Sequence, residues 1–259
     1  MDLGAVAVWW AVMLGLGAAA LPLAALLFRP LPDRGASLAI PIALVVVLVP
    51  VYWLGHLSFG PATVAVAVVL LAVVSVLAAR RSPPVDRRRA AESAVVFTLA
   101  FLLVVAIRAV DPGIIPGGGE KFLDYGLVQT LLRAEALPPE DMWFAGEPVA
   151  YYYGGHLLTV ALSWLTATPA ALAFNLALAG VYATFVSATY GLAGSVAATR
   201  GRSYRLAGAF AAFFVGVASN LVPPLQALLL VLPDVVAMPI ASAVADRTAD
   251  AVSVATLTS

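Results

Sequence analysis

Two carboxylates on one helix face are the first residues of this chain whose types and spacing could do chemistry. Glu120 and Asp124 are four residues apart in a segment with helical periodicity, so their side chains lie one turn apart on the predicted helix. Such a pair could bind a divalent cation, or one member could take a proton from an acceptor hydroxyl. Alternatively, acids in a first helical turn offset the helix dipole and solvate an exposed face. The spacing alone leaves both interpretations open.

A second group of candidates is aromatic and follows the carboxylates in the chain. Trp143 and the run Tyr151, Tyr152 and Tyr153 could form the amphipathic wall of a site for a sugar or another polar ligand. The alternative is an aromatic belt, because Trp and Tyr concentrate at the headgroup level of a membrane. Three consecutive tyrosines on a helix point in three directions. At most two of them can face one ligand, so both roles can coexist.

One histidine follows the tyrosines by about a turn. His156 is expected just inside a membrane, where an ionisable side chain is a functional candidate by default. The alternative is a neutral imidazole that is hydrogen-bonded to a neighbouring helix. A single histidine makes no metal site by itself, so any divalent cation would depend on Glu120 and Asp124.

Composition excludes several other classes of site. The chain has no cysteine, which rules out disulfides, thiolate catalysis and cysteine-based metal centres. It has 14 basic and 14 acidic residues without a clustered basic surface, so nucleic acid is not an expected partner. The glycine run at 117–119 lacks a following lysine-serine pair, and the sequence contains no nucleophile elbow.

The elements that must position these residues are membrane spans. Of the 259 residues, 63% are hydrophobic and 11% are charged, which is too apolar for a protein covered by water. A span needs about 20 apolar residues. The sequence therefore predicts an all-α, polytopic helical membrane protein with about seven transmembrane helices and an external interfacial amphipathic helix; the spans are 3–28, 38–55, 61–79, 92–109, 151–168, 170–197 and 206–232.

Four segments follow from this division. Residues 1–109 form an N-terminal four-span bundle, and 110–150 form an acidic external loop that contains the amphipathic helix. Residues 151–232 form a tyrosine-led segment of three spans. Residues 233–259 form a polar tail that is expected to be incomplete or disordered, because it is too polar to span and lacks a helical stripe.

Basic loops predict the orientation. The five arginines between 80 and 89 give the strongest positive-inside signal, which places this loop in the cytoplasm of a cell-membrane protein. The loop 110–150, with two basic against seven acidic side chains, is then non-cytoplasmic. Arg200, Arg202 and Arg205 would fall outside if 151–168 and 170–197 both span. The favoured prediction is that both span; the alternative is that 151–168 is re-entrant.

The acidic loop and the tyrosines carry a resemblance to a known family. The stretch GGGEKFLDYGLVQTLLRAEALPPEDMWFAGEPVAYYYGGHLL resembles the signature of the DUF2298, or YYY, family of polytopic membrane proteins. The resemblance covers about 45 residues strongly and the flanking helices in kind. Its fixed positions include Glu120, Lys121, Asp124, Asp141, Trp143 and the three tyrosines.

This family is similar, at the level of fold, to GT-C-type glycosyltransferases, which use a polyprenyl-phosphate sugar donor beside the membrane. The similarity implies that Asp124 or Glu120 is the base or metal ligand and that Lys121 or Arg133 contacts the donor phosphate. Trp143, the three tyrosines and His156 then line the substrate site. The resemblance also implies a longer protein with further spans, of which this chain is an N-terminal fragment that could lack a complete site.

The alternative function is a non-enzymatic membrane component or a transporter-like module. A transporter is expected to carry paired ionisable residues in the middle of the membrane, beside broken helices. The sequence instead concentrates its polar residues in the external loop, which favours interfacial chemistry. The resemblance and the position of the polar residues therefore favour a membrane glycosyltransferase that works on the non-cytoplasmic face. Its expected partners are the lipid bilayer and a lipid-linked sugar.

Overall fold

The computed structural model describes residues 2–109, 113–114, 120–218, 235 and 238–239, with only the backbone of residues 120 and 121. Its regular structure is helical, which confirms the predicted all-α membrane class. The helices are α1 Leu3–Leu27, α2 Ala39–Gly55, α3 Pro61–Ala79, α4 Arg87–Arg108, α5 Glu120–Arg133, α6 Gly154–Thr166, α7 Ala170–Thr199 and α8 Tyr204–Phe213; a 3₁₀ turn, Ala36–Leu38, precedes α2, and a π turn, Phe214–Ala218, follows α8.

Five described helices, α1, α2 with its 3₁₀ turn, α3, α4 and α7, are long and apolar enough to cross a membrane. Their outer faces expose large apolar side chains, such as Val69 at 60% and Leu99 at 65%. Such apolar faces are unfavourable in water and favourable in hydrocarbon. A helix can lie in hydrocarbon because it satisfies its own backbone hydrogen bonds. The chain is an integral membrane protein on this ground.

Two of the seven predicted spans are not among the five found in the described residues. The predicted span 151–168 is the helix α6, which has 13 residues and a length of about 20 Å. The hydrocarbon core is about 30 Å thick, so α6 is too short to cross it. The predicted span 206–232 begins with α8, and its part after residue 218 lies outside the described residues, as does most of the tail 233–259.

The described helices up to Ala212 form one compact unit. Helices α1, α2 and α3 pack against one another, and α4 packs along α7. Indole hydrogen bonds join these groups: Trp9 Nε1 donates to Thr168 Oγ1 at 3.0 Å, and Trp10 Nε1 donates to Thr98 Oγ1 at 2.9 Å. Large buried side chains such as Trp9, Met13 and Phe97 fill the space between the helices. The predicted N-terminal bundle and the tyrosine-led segment therefore share one core.

Helix α6 begins and ends at the same end of the bundle. His156 in its first turn contacts α5, and Trp164 near its end packs on Phe59 in the turn between α2 and α3, with ring centroids 4.9 Å apart. The chain then enters α7, where the carbonyl of Ala171 accepts a hydrogen bond from Ile114, which follows α4. We call this the acidic end of the bundle, because the described part of the acidic loop lies there.

At the opposite end, which we call the basic end, the connections that follow α1, α3 and α7 all contain arginines and lie close together. Arg205 donates to Glu92 through Nε at 2.8 Å and through Nη2 at 2.5 Å. Arg89 donates to the same carboxylate at 2.6 Å, and Tyr190 of α7 donates at 3.4 Å. The 200–205 loop therefore lies at the same end as the 80–89 loop. This agrees with the re-entrant alternative for 151–168 and removes the conflict with the basic-loop rule.

A buried carboxylate fixes the turn between α1 and α2 at the basic end. Asp33 is fully buried and accepts hydrogen bonds from the backbone of Gly35 and Ser37 and from the hydroxyl of Ser37 at 2.6 Å. Helix α7 packs closely on this turn: a Cβ added to Gly191 would lie 1.8 Å from Ser37 Oγ. Ser195 Oγ of α7 also reaches Asp33 at 3.4 Å. The turn and α7 thus hold each other in place.

The end-to-end arrangement predicts the pattern of labelling in a cell. The native chain has no cysteine, so Ser82→Cys, Ser203→Cys and Ala145→Cys can each be tested as a single reactive site. Ser82→Cys and Ser203→Cys should share one side of the membrane, and Ala145→Cys should lie on the other, when labelling by a membrane-impermeant maleimide is measured. Labelling of Ser203→Cys together with Ala145→Cys would contradict the fold.

The Glu92 cluster predicts a loss of stability when its charge is removed. Glu92→Gln leaves Arg89 and Arg205 without their common anion in a half-buried site, and we expect a cost of about 2 kcal/mol. The measurement is the thermal unfolding midpoint of the detergent-solubilised protein. Glu147→Gln removes an exposed acid at the acidic end and should leave the midpoint unchanged. Equal midpoints for Glu92→Gln and Glu147→Gln would contradict the proposed role of Glu92.

Candidate functional site

Asp124 and His156 form a pair at the acidic end. His156 Nε2 lies 3.1 Å from Asp124 Oδ1, and the two residues belong to α5 and to the first turn of α6. A carboxylate only accepts hydrogen bonds, so Nε2 is the donor atom of the imidazole. Among the described residues, no hydrogen bond engages the second oxygen of Asp124, whose side chain is 37% exposed. One carboxylate oxygen is held by His156, and the described residues leave the other without a hydrogen-bond donor.

The other ring nitrogen of His156 is buried. Nδ1 is out of contact with solvent and has no hydrogen-bond partner among the described residues. A buried N–H without an acceptor is costly, so Nε2, which has an acceptor in Asp124, is the favoured position for the proton that the ring donates. The histidine thus contacts a neighbouring helix through the candidate carboxylate itself.

The loop 137–150 is held together by backbone pairing between its two arms. The amide of Asp141 donates to the carbonyl of Glu147 at 2.8 Å, and that of Val149 donates to Pro139 at 2.9 Å. Asp141 Oδ1 accepts from the backbone of Trp143, and Glu140 Oε1 accepts from that of Gly146. These two carboxylates therefore stabilise the loop by accepting backbone hydrogen bonds. Additional bonds, Leu137 to Gly55 and Phe59 to Glu135, tie the loop to the turn between α2 and α3.

Two clefts lie along α5 beside this loop. One, of about 500 Å³, is lined by Arg133, Glu135, Glu140 and Trp143 among others. The other, of about 510 Å³, is lined by Leu123 and Leu127 of α5 and by Trp143 and Tyr151 of the following chain. Trp143 contributes to both. The first cleft offers charged groups and the second offers an apolar floor with aromatic edges, which suits a ligand with polar and apolar parts.

The three tyrosines have three different environments. Tyr151 and Tyr152 stack with ring centroids 4.0 Å apart, and Tyr152 is 77% exposed. Tyr153 is buried and packs against Tyr52 near the end of α2, at 6.4 Å between centroids. Burial, reinforced by the neighbouring Tyr52, raises the pKa of Tyr153. Only Tyr151 lines one of the two clefts described above, Tyr152 faces outward, and Tyr153 anchors the start of α6.

The structure brings only part of the predicted site together. Asp124 joins His156, whereas Arg133, Trp143 and Tyr151 line the two clefts, to which neither Asp124 nor His156 contributes. The side chains of Glu120 and Lys121 lie outside the described residues, so the predicted pairing of Glu120 with Asp124 stays a prediction. Within the described part of the chain, no group of three or more His, Cys, Asp or Glu residues is placed to hold a metal ion.

Two contacts of the site were not expected from the sequence. Met142 lies on Gly126 so closely that a Cβ at Gly126 would be 2.1 Å from the sulfur. An isolated glycine within a helical pattern is a signal of close approach, and it could have indicated this contact. Tyr52 is far from Tyr153 in sequence, inside an apolar span, and no local pattern connects them.

The contact at Gly126 predicts a loosened loop in a substituted protein. Gly126→Ala should displace Met142 and make the segment 137–150 several-fold more sensitive to limited proteolysis, although alanine favours the helix itself by about 1 kcal/mol. The double variant Gly126→Ala/Met142→Ala should regain part of the resistance. Gly154→Ala is the control, because a Cβ there meets nothing within 4 Å. A Gly126→Ala protein as resistant as the wild type would contradict the packing.

Comparison with known proteins assigns the chain to a family. The model of the family described as an uncharacterized membrane protein family, DUF2298, matches residues 46–249. No curated protein and no solved structure matches the chain. The matched region runs from within α2 beyond α8 and includes the acidic loop, the Asp124–His156 pair and the three tyrosines. The chain belongs to the DUF2298 family of membrane proteins.

Proposed function

We propose that the protein is a glycosyltransferase that uses a lipid-linked sugar donor at the membrane surface, with Asp124 as its general base. The observation that carries the proposal is the hydrogen bond of 3.1 Å between His156 Nε2 and Asp124 Oδ1. It presents a partly exposed carboxylate at the acidic end, where apolar helix faces give way to polar loops. This is where a sugar on a membrane-embedded lipid would be within reach.

The proposed reaction needs one proton acceptor. An acceptor hydroxyl oxygen attacks the anomeric carbon, the bond from that carbon to the phosphate oxygen breaks, and polyprenyl phosphate leaves with the bond electrons. Asp124 takes the hydroxyl proton through its open oxygen. His156 is a positioning residue, because its N–H holds the first oxygen and turns the second towards the acceptor. Phosphate is a good leaving group, so the carboxylate only needs to accept the hydroxyl proton while the bond to the anomeric carbon forms.

The surrounding residues support the binding of both substrates. Lys121 is three residues before Asp124, about 4.5 Å along the helix, and is the candidate for the donor phosphate. Arg133 is nine residues after Asp124, about 13 Å along the helix, so it belongs to a more distant part of the site. The cleft with Trp143 and Tyr151 offers aromatic faces of the kind that pack against sugar rings. A divalent cation would bind through Asp124 and Glu120.

The charge distribution favours transfer over transport. The five spans carry charged residues only near their ends, whereas transport sites place them near the middle of the membrane. Ten arginines lie in the loops and helix starts of the basic end. We therefore propose that the basic end faces the cytoplasm and that transfer takes place on the non-cytoplasmic face.

The proposal predicts a defined defect when Asp124→Asn is introduced at the chromosomal locus. Cells should lose a non-cytoplasmic glycan and accumulate a polyprenyl-phosphate sugar, as cells with the gene deleted should. His156→Gln should reduce the glycan by about tenfold or more, in the range of one positioned acid-base group. The measurement is mass spectrometry of released glycans and of extracted lipids.

The matched control is Asp2→Asn, which neutralises an exposed acid that lines neither cleft, keeps a side chain able to cap α1, and should leave both profiles unchanged. Immunoblotting of membranes establishes that each variant is inserted and abundant. Unchanged glycans and lipids in the deletion strain would overturn the transferase proposal and favour a non-enzymatic or transporter-like role. Full glycan synthesis by the Asp124→Asn strain would overturn the role of its carboxylate.

A further inference from the structure

An apolar cleft at the basic end lies far from the Asp124 site and opens beside arginines that form no ion pair with a described acid. It measures about 390 Å³ and is lined by Leu23 and Leu26 of α1, Val74 and Leu77 of α3, and Arg80 and Arg81. Leu23 is buried and forms part of the floor, whereas Leu77 is 52% exposed and forms a rim. An apolar trough that ends in cations has the polarity profile of a lipid binding site.

The positive charge at this cleft exceeds the negative partial charge of the two helix ends beside it. Arg29 donates to the carbonyl of Arg81 at 2.5 Å, which brings a third arginine to the same place. None of the three forms an ion pair with an acid among the described residues. The C-terminal ends of α1 and α3 contribute about −0.5 charge each. Three arginines therefore leave about two positive charges without compensation.

The acids nearest in the fold are committed elsewhere. Asp33 is satisfied by its own turn and by Ser195. Glu92 is engaged by Arg88, Arg89 and Arg205. Asp86 caps α4 by accepting from the backbone of Arg89. In the described part of the basic end, no acid is therefore left to balance the three arginines of the cleft.

We propose that this cleft binds one anionic glycerophospholipid, with its phosphate between Arg29, Arg80 and Arg81 and one acyl chain along Leu23, Leu26, Val74 and Leu77. The proposal does not depend on the proposed transferase activity, since the cleft lies at the opposite end from Asp124. The bound lipid would join the ends of α1 and α3 where Arg29 already bridges them.

The test is native mass spectrometry of the detergent-purified chain with phosphatidylglycerol or phosphatidylcholine as probes. The wild type should retain one phosphatidylglycerol at activation energies that remove phosphatidylcholine. Arg80→Gln/Arg81→Gln should weaken apparent phosphatidylglycerol binding by about an order of magnitude or more. Arg200→Gln/Arg202→Gln removes two exposed charges from another loop of the same end and should have little effect.

A second variant, Val74→Trp, keeps the charges and fills the cleft at a partly exposed lining position. This variant should also lower phosphatidylglycerol retention. Unchanged circular dichroism and gel-filtration profiles establish that each variant is folded. Equal losses in the two arginine double variants would overturn the proposal in favour of general charge attraction. Equal retention of phosphatidylcholine, or displacement of phosphatidylglycerol by equimolar polyprenyl phosphate, would overturn it in favour of another occupant.

Discussion

The length of α6 is the constraint on which the arrangement of this protein depends. A helix of 13 residues cannot cross about 30 Å of hydrocarbon, so the chain returns to the end from which it entered. Helix α7 then runs opposite to α4 and delivers Arg205 to Glu92. The same short helix brings His156 against Asp124. One deviation in span length thus sets both the distribution of charge and the geometry of the candidate site.

The two ends of the bundle handle polar groups in different ways. At the basic end, Asp33 and Glu92 are surrounded by donors and fix helices. At the acidic end, Glu140 and Asp141 are likewise used by the loop, but Asp124 has one oxygen that no described residue engages by a hydrogen bond. Chemistry requires an incompletely satisfied group at an accessible place, and Asp124 meets that condition better than the structural acids.

Sequence periodicity predicted the long helices well, because uncharged apolar runs of span length have few alternatives in a membrane. The amphipathic helix in the acidic loop was also predicted, and α5 confirms it over Glu120–Arg133. The prediction that 151–168 spans the membrane was wrong, because hydropathy does not register that Thr166 ends the helix and that Ala167 adopts a left-handed conformation. The arginines of the 200–205 loop pointed to the correct arrangement, because basic loops favour the same side of the membrane. The Asp124–His156 contact joins separate helices and could be found only from the fold.

The most direct test of the central claim is a double-mutant cycle on transfer from a tritiated polyprenyl-phosphate sugar in isolated membranes. The account predicts label transfer by the wild type, a smaller rate for His156→Gln, and a rate for Asp124→Asn that the second substitution does not lower further, because His156 acts through Asp124. Independent, additive losses of transfer rate from the two substitutions would contradict the pair as the reactive centre. Wild-type transfer no faster than in membranes that lack the protein would contradict the transferase activity itself.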